Sequence, residues 1–168
     1  METLVAITLL LLAIGGPLYA VSQSLASAIY ARDQITAFYL AQDAVEYVRN
    51  MRDNNALNNR DWLASVQTYV PSDGSIGSAF KIDASTGAIT DCAGGVCPPM
   101  NYDSNGLYNY DATAPLSPFT RTITLQLPDK NQTPPNEARL IVDVSWRQNI
   151  AGAKNEFKVA ENLTSWVQ

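Results

Sequence analysis

Leu4-Val-Ala-Ile-Thr-Leu-Leu-Leu-Leu-Ala-Ile14 runs on, without a clear break, towards Ala37-Phe-Tyr-Leu-Ala-Gln-Asp-Ala-Val-Glu-Tyr-Val-Arg-Asn50. Only Thr8 interrupts the first stretch, weaker apolar character continues to Val21, and no charged residue lies between Glu2 and Arg32. A bilayer core takes about 20 mostly apolar residues as a helix, so the run is just long enough to span one. A cleaved signal peptide would want a positive segment ahead of the run and small residues before the cut. The only charge ahead is Glu2, and the nearest candidate cut, after Leu18-Tyr19-Ala20, has a bulky Leu at its third position back.

From Ser22 the pattern turns amphipathic. Ala28, Ala31, Ile35, Phe38, Ala41, Val45 and Val48 recur at steps of three and four, while Arg32, Asp33, Gln34, Asp43, Glu46 and Arg49 fall off that stripe. The spacing predicts one helix ending near Asp53-Asn54-Asn55, where short polar side chains compete for the backbone. Roughly 50 residues at a 1.5 Å rise give about 75 Å, more helix than a small head can bury. Lipid or further copies of the chain must cover the rest. Gly15-Gly16-Pro17 is its one strong interruption, because proline removes a donor and crowds the carbonyl four residues back. A kink or an unwound turn is expected there.

After Asp53 the periodicities shorten. Asp61 can cap a short helix over Trp62–Tyr69, and Pro71-Ser-Asp-Gly74 turns the chain. Phe80–Asp83 and Ala88–Asp91 flank Ala84-Ser-Thr-Gly87 as a hairpin. Phe119, Ile123, Leu125 and Leu127 alternate with Thr120, Thr122, Thr124 and Gln126. Leu140, Val142, Val144 and Trp146 form a second alternating strand, and Phe157, Val159 and Leu163 a third, after a turn at Asn149-Ile-Ala-Gly-Ala153. Strands joined by loops imply an antiparallel sheet, apolar on one face. The expected fold is therefore α+β: residues 1–26 as an apolar stem, and 27–168 as a head. In the head, the lower helix covers the sheet through Ile35, Phe38, Val45 and Val48. The Pro-rich stretch 128–135 reads as a loop.

Composition narrows the function. The net charge of −5 and 11 scattered basic residues give no cluster for phosphates, so general nucleic-acid binding is not expected. There is no histidine, so Ser-His-Asp and Cys-His catalysis fall away along with the commonest metal ligand. No nucleophile has an evident base beside it, and the chain reads as a non-enzyme without a cofactor. Cys92 and Cys97 enclose Ala-Gly-Gly-Val, whose glycines allow the tight reversal of a disulfide, and such a pair suits a compartment outside the cytoplasm. Zinc would want four ligands, and no third cysteine exists. Asp103-Ser-Asn-Gly106 with Asp111 offers oxygen ligands for calcium but lacks EF-hand spacing, so it reads as a turn.

Taken together, Glu2, the apolar run, Gly15-Gly16-Pro17 and Ala37–Asn50 resemble the N-terminal third of type IV pilins and pseudopilins. The stretch 37–52 is more similar to minor pilins of the V type and to I-type pseudopilins than to major pilins. Pro118-Phe-Thr-Arg-Thr-Ile-Thr, Val144-Ser-Trp146 and Glu161-Asn-Leu-Thr-Ser-Trp166 are similar to the heads of such proteins. The resemblance implies a subunit held in the bacterial inner membrane, its head outside the cytoplasm, before it polymerises through the N-terminal helix. It also implies a prepilin peptidase and an assembly platform as partners. The family's glutamate stands fifth in the mature chain, after a basic leader ending in glycine. Here Glu2 follows Met1 directly, so the cleavage site maps onto no residue of this sequence. By resemblance, Glu2 pairs with the N-terminal ammonium of a neighbouring subunit. Four readings stay open: a minor pilus subunit, a pseudopilin of type II secretion, a major pilin (disfavoured by the stretch 37–52), and a membrane-tethered adhesin whose helix is only an anchor.

Overall fold

The computed structural model describes residues 1–129, 135–147 and 153–165. The turn expected around Asn149–Ala153, part of the Pro-rich stretch and Trp166 fall outside those ranges in whole or in part. Contacts divide the chain into two units, Met1–Thr36 and Ala37–Gln168. The expected boundary at 26/27 falls inside the first of them.

Helix α1 (Glu2–Leu57) contributes to both units. Pro17 sits inside it and the helix continues through Gly15-Gly16-Pro17, so the unwound turn entertained from the sequence is not formed. The end of α1 is chemically explicit. Asn59 takes the left-handed conformation at φ 53°, the Arg60 N–H donates to the Asn55 carbonyl (2.9 Å), and the Asn59 N–H donates to that of Ala56 (3.1 Å). This is the paired closure of a Schellman motif, with Asn in the place glycine usually takes. It sets the stop a few residues beyond Asp53–Asn55.

The part of α1 in the head buries Ala37, Leu40, Ala41, Ala44, Val45 and Val48. Val45 and Val48 lie in the core as expected. Ile35 is 57% exposed and Phe38 47%, against expectation. At about 100° per residue, Ile35 lies roughly 150° from the centre of the buried face, and Phe38 sits on its flank. The stripe picked out by steps of three and four drifts around a straight helix instead of following the core.

That face packs on an antiparallel sheet of order β2-β1-β5-β6-β7. Its strands are β1 (Phe80–Asp83), β2 (Ala88–Asp91), β5 (Phe119–Gln126), β6 (Glu137–Trp146) and β7 (Asn155–Thr164). The expected hairpin and the three expected strands are all present. Register follows the alternation: Ile123 faces Val142, which faces Val159, and Leu125 faces Leu140. Phe119, Ile123, Leu125, Leu140, Val142 and Val144 point into the core. The residue that pattern reading passed over is Arg121, which shares the parity of Phe119 and Ile123 and is likewise buried.

A second, two-stranded sheet joins β3 (Asn101–Tyr102) to β4 (Tyr108–Asn109). The helix expected over Trp62–Tyr69 is instead a run of turns ending in a 3-10 turn at Gln67–Tyr69. Asp61 does cap it, its carboxylate accepting the Leu63 N–H at 2.8 Å. Eight residues are too few to sustain an α-helix by themselves. The core claims Trp62, Leu63 and Val66, and the Trp62 indole N–H donates to the Pro135 carbonyl at 2.9 Å.

Candidate functional site

In the first unit, α1 has a mean hydropathy of 2.3 over its most apolar 18 residues, and none of that window is buried. By length and composition this stretch can cross a membrane. Its polar side chains satisfy themselves along the helix. The Thr8 hydroxyl donates to the Val5 carbonyl (2.8 Å), that of Ser22 donates to Tyr19 (2.8 Å), and the Gln23 amide donates to the Tyr19 hydroxyl (3.1 Å). Such back-bonding is what a segment surrounded by hydrocarbon requires. Glu2 is exposed in the first turn of α1, where a carboxylate complements the helix dipole.

The apolar character of the stem runs on as a stripe. Leu18, Val21, Leu25 and Ile29 recur at steps of three and four, and all four are exposed. A span of about 20 residues counted from Thr3 closes near Ser22. Leu25 and Ile29 continue the apolar stripe beyond that point, with Tyr30 beside them at 42% exposure.

In the head, Cys92 and Cys97 form the expected disulfide, with Cα atoms 4.7 Å apart. Gly94 and Gly95 take φ of 63° and 77°, which a side chain would strain, so the two glycines make the reversal possible. Both cysteines are buried against Ala79 as a small cluster of their own, while Val96 is left exposed. Replacing both cysteines by serine should cost roughly 2 kcal/mol, the loop-closure value for so short a ring, and leave the sheet intact. Chemical denaturation of both forms measures that difference. Intact mass without reductant should show two fewer hydrogens than the thiol form, and rapid alkylation of both thiols in native, unreduced protein would contradict the bridge.

Asp103 is occupied with backbone donors, its carboxylate accepting the N–H groups of Asn105 (2.8 Å) and Leu107 (2.9 Å). Asp111 likewise accepts from Thr113. The loop is thus built as a turn. Among the described residues no group of three or more His, Cys, Asp or Glu comes together.

The remaining charged groups tie elements to one another. Arg49 on α1 bonds Glu161 on β7 and Glu46 one turn back, each at 2.7 Å. The hydrogen bond that Arg49 donates to Glu161 raises the guanidinium above its ordinary value, against the opposing effect of burial. Burial pushes the Asp83 carboxyl up, but hydrogen bonds from Ser85, Tyr110 and Thr86 outweigh it and hold Asp83 below the usual range. On the opposite face of the sheet, burial and then Glu156 push Asp143 up, while Lys158 works against both. A cavity of about 210 Å³ lies beside Phe38, Val45 and Val159, with the Arg49 ion pairs at hand. Small-molecule sites usually run from about 300 Å³ upward, so this one is short of a ligand pocket.

Comparison with known protein families, with curated proteins and with solved structures finds no match for this chain. What the fold defines is an α+β protein. Its long N-terminal helix carries an exposed apolar stretch in one unit and forms part of the core in the other.

Proposed function

We propose that the chain is a structural subunit of a bacterial filament of the type IV pilus kind. It would be held in the inner membrane by the stem before assembly, and would polymerise through that stem as a minor subunit. The observation that carries this is the apolar stripe Leu18, Val21, Leu25 and Ile29, which runs on from the membrane-length stretch into the amphipathic part of the helix and is unburied within the chain. A tether needs to satisfy lipid alone, and polar residues would serve it past Ser22. Stems packed on stems would cover Leu25 and Ile29 in the same way that lipid covers Leu9 or Leu12. The head adds support of a weaker kind. Its core is closed by the later part of the same helix, through Leu40, Ala44 and Val48. A pseudopilin of type II secretion shares this architecture, and the neighbouring genes distinguish the two. Glu2 would then meet the N-terminal ammonium of an adjacent subunit as the two charges leave water together.

Photocrosslinking residues at the stripe test the packing. A benzophenone side chain in place of Leu25 or Ile29 should give, on irradiation, covalent adducts with other filament subunits in membranes or sheared filaments from the native host. Absence of adducts at both positions would leave the helix as an anchor and favour a tethered adhesin.

A further inference from the structure

Strand β5 carries a guanidinium into the core. Arg121 is 1% exposed, and its Nη1 donates to the Leu40 carbonyl of α1 (2.9 Å) and to Asp43 Oδ2 (2.7 Å). Its Nη2 donates to the Ile82 carbonyl of β1 at 2.7 Å. Nε finds no partner among the described residues. A buried cation is costly unless paired, and one role such groups can take is to fix a single arrangement of the elements around them.

The bond to Ile82, itself buried in the core, falls just past the point where the pairing of β1 with β5 ends. Ahead of β1 the chain is tied to β5: the Gly77 N–H donates to the Leu125 carbonyl (2.7 Å), Ile76 bridges Gln126, and Phe80 pairs with Ile123. The same register carried forward would set Ile82 opposite Arg121, yet no ladder pair forms between β1 and β5 past Phe80 among the described residues. The guanidinium supplies the donor that the ladder would have given Ile82. Tyr110 occupies the same region from the other side. Its hydroxyl donates to the Arg121 carbonyl (3.4 Å), its N–H donates to Asp83 Oδ2 (3.2 Å), and Lys81 Nζ stands 4.5 Å from the centre of its ring. The hairpin β1–β2 is complete in itself, with four paired positions, whereas β6 is held to β5 by eight.

We propose that Arg121 is a latch on this hairpin. The β1–β2 hairpin opens as a unit about Phe80, and the guanidinium, fixed to α1 at Leu40 and Asp43, holds it closed by the Ile82 carbonyl. Tyr110 is the second fastening. Opening leaves Arg121 bonded to α1 and lets water replace Ile82, so it is a local event below global unfolding.

Hydrogen exchange on the full-length chain in detergent tests the latch. Arg121→Lys keeps a cation for Asp43, but a single ammonium cannot serve both α1 and β1 as the fork does. Amides of Phe80–Asp91 should exchange about tenfold faster in Arg121→Lys and about threefold faster in Tyr110→Phe. Amides of Glu137–Trp146 should stay within about twofold of wild type in both. Acceleration of both segments in step would make Arg121 a general stabiliser and overturn the latch, as would an unchanged hairpin. If Arg121→Lys does not fold, Tyr110→Phe decides alone by the same contrast between segments.

Discussion

A chain shortened to begin at Asn54 should show no cooperative unfolding transition, while one beginning at Ser27 should fold as a soluble α+β head. The difference is the segment of α1 that closes the core. Leu40, Val45 and Val48 are each at most 7% exposed, and Ala37, Ala41 and Ala44 are fully buried. A buried aliphatic side chain contributes about 1.5–3 kcal/mol, so the three larger ones alone stand for roughly 5–9 kcal/mol. A domain's entire stability is about 5–15 kcal/mol. The shorter chain also takes Leu40 and Asp43 away from Arg121, leaving a guanidinium among Phe119, Ile123 and Val144 with only Ile82 as a described partner. Near-ultraviolet circular dichroism and a thermal melt of the two chains measure the outcome. An equally cooperative melt from Asn54 onward would mean that the sheet closes its core without the helix.

Much of this fold was legible because period and burial agree. Phe119–Gln126 alternates at every position but Arg121 and becomes a strand with strictly alternating burial. Phe80–Asp83 and Ala88–Asp91 flank a turn ending at Gly87, whose φ is 76°, and become a hairpin. Where the reading slipped, local pattern had little to offer. Strands β3 and β4 hold two residues each, too few for a period of two to register. Ile35 satisfied a spacing rule, but beside Ala41, which the stripe did include, the core selected Ala37 and Ala44, small side chains that let helix and sheet approach. Arg121 was hidden by its charge. Its parity with Phe119 and Ile123 was available, but its bonds to Leu40, Asp43 and Ile82 join positions far apart in the chain. The stem was legible as an apolar helix and no further. Its proposed role depends on contacts between copies, and spacing along one chain does not encode them.

Glu2→Ala should lower entry into filaments by two or more orders of magnitude while leaving membrane insertion and the head unchanged, if the stem assembles as proposed. The carboxylate meets two environments. Glu2 is exposed at the first turn of α1, and before assembly it can stay hydrated at the membrane interface, so alanine costs little there. In a packed bundle of stems the neighbour's terminal ammonium must leave water. Removing one member of a buried pair leaves the other charge uncompensated, a defect large enough for a hundredfold or greater loss in incorporation. Glu2→Gln keeps an acceptor but not the charge, so it should recover only part of the loss. The mutant chain should accumulate in the inner membrane and be nearly absent from sheared filaments. The measurement is the ratio of mutant to wild-type subunit in filaments, normalised to the membrane pool. Photocrosslinking from position 25 keeps the test independent of Glu2. Stems that crosslink while Glu2→Ala enters normally would keep the packing and discard the charge pair. If stems do not crosslink and the Glu2→Ala ratio is unchanged, the helix is an anchor and Glu2 an interfacial residue that remains in water.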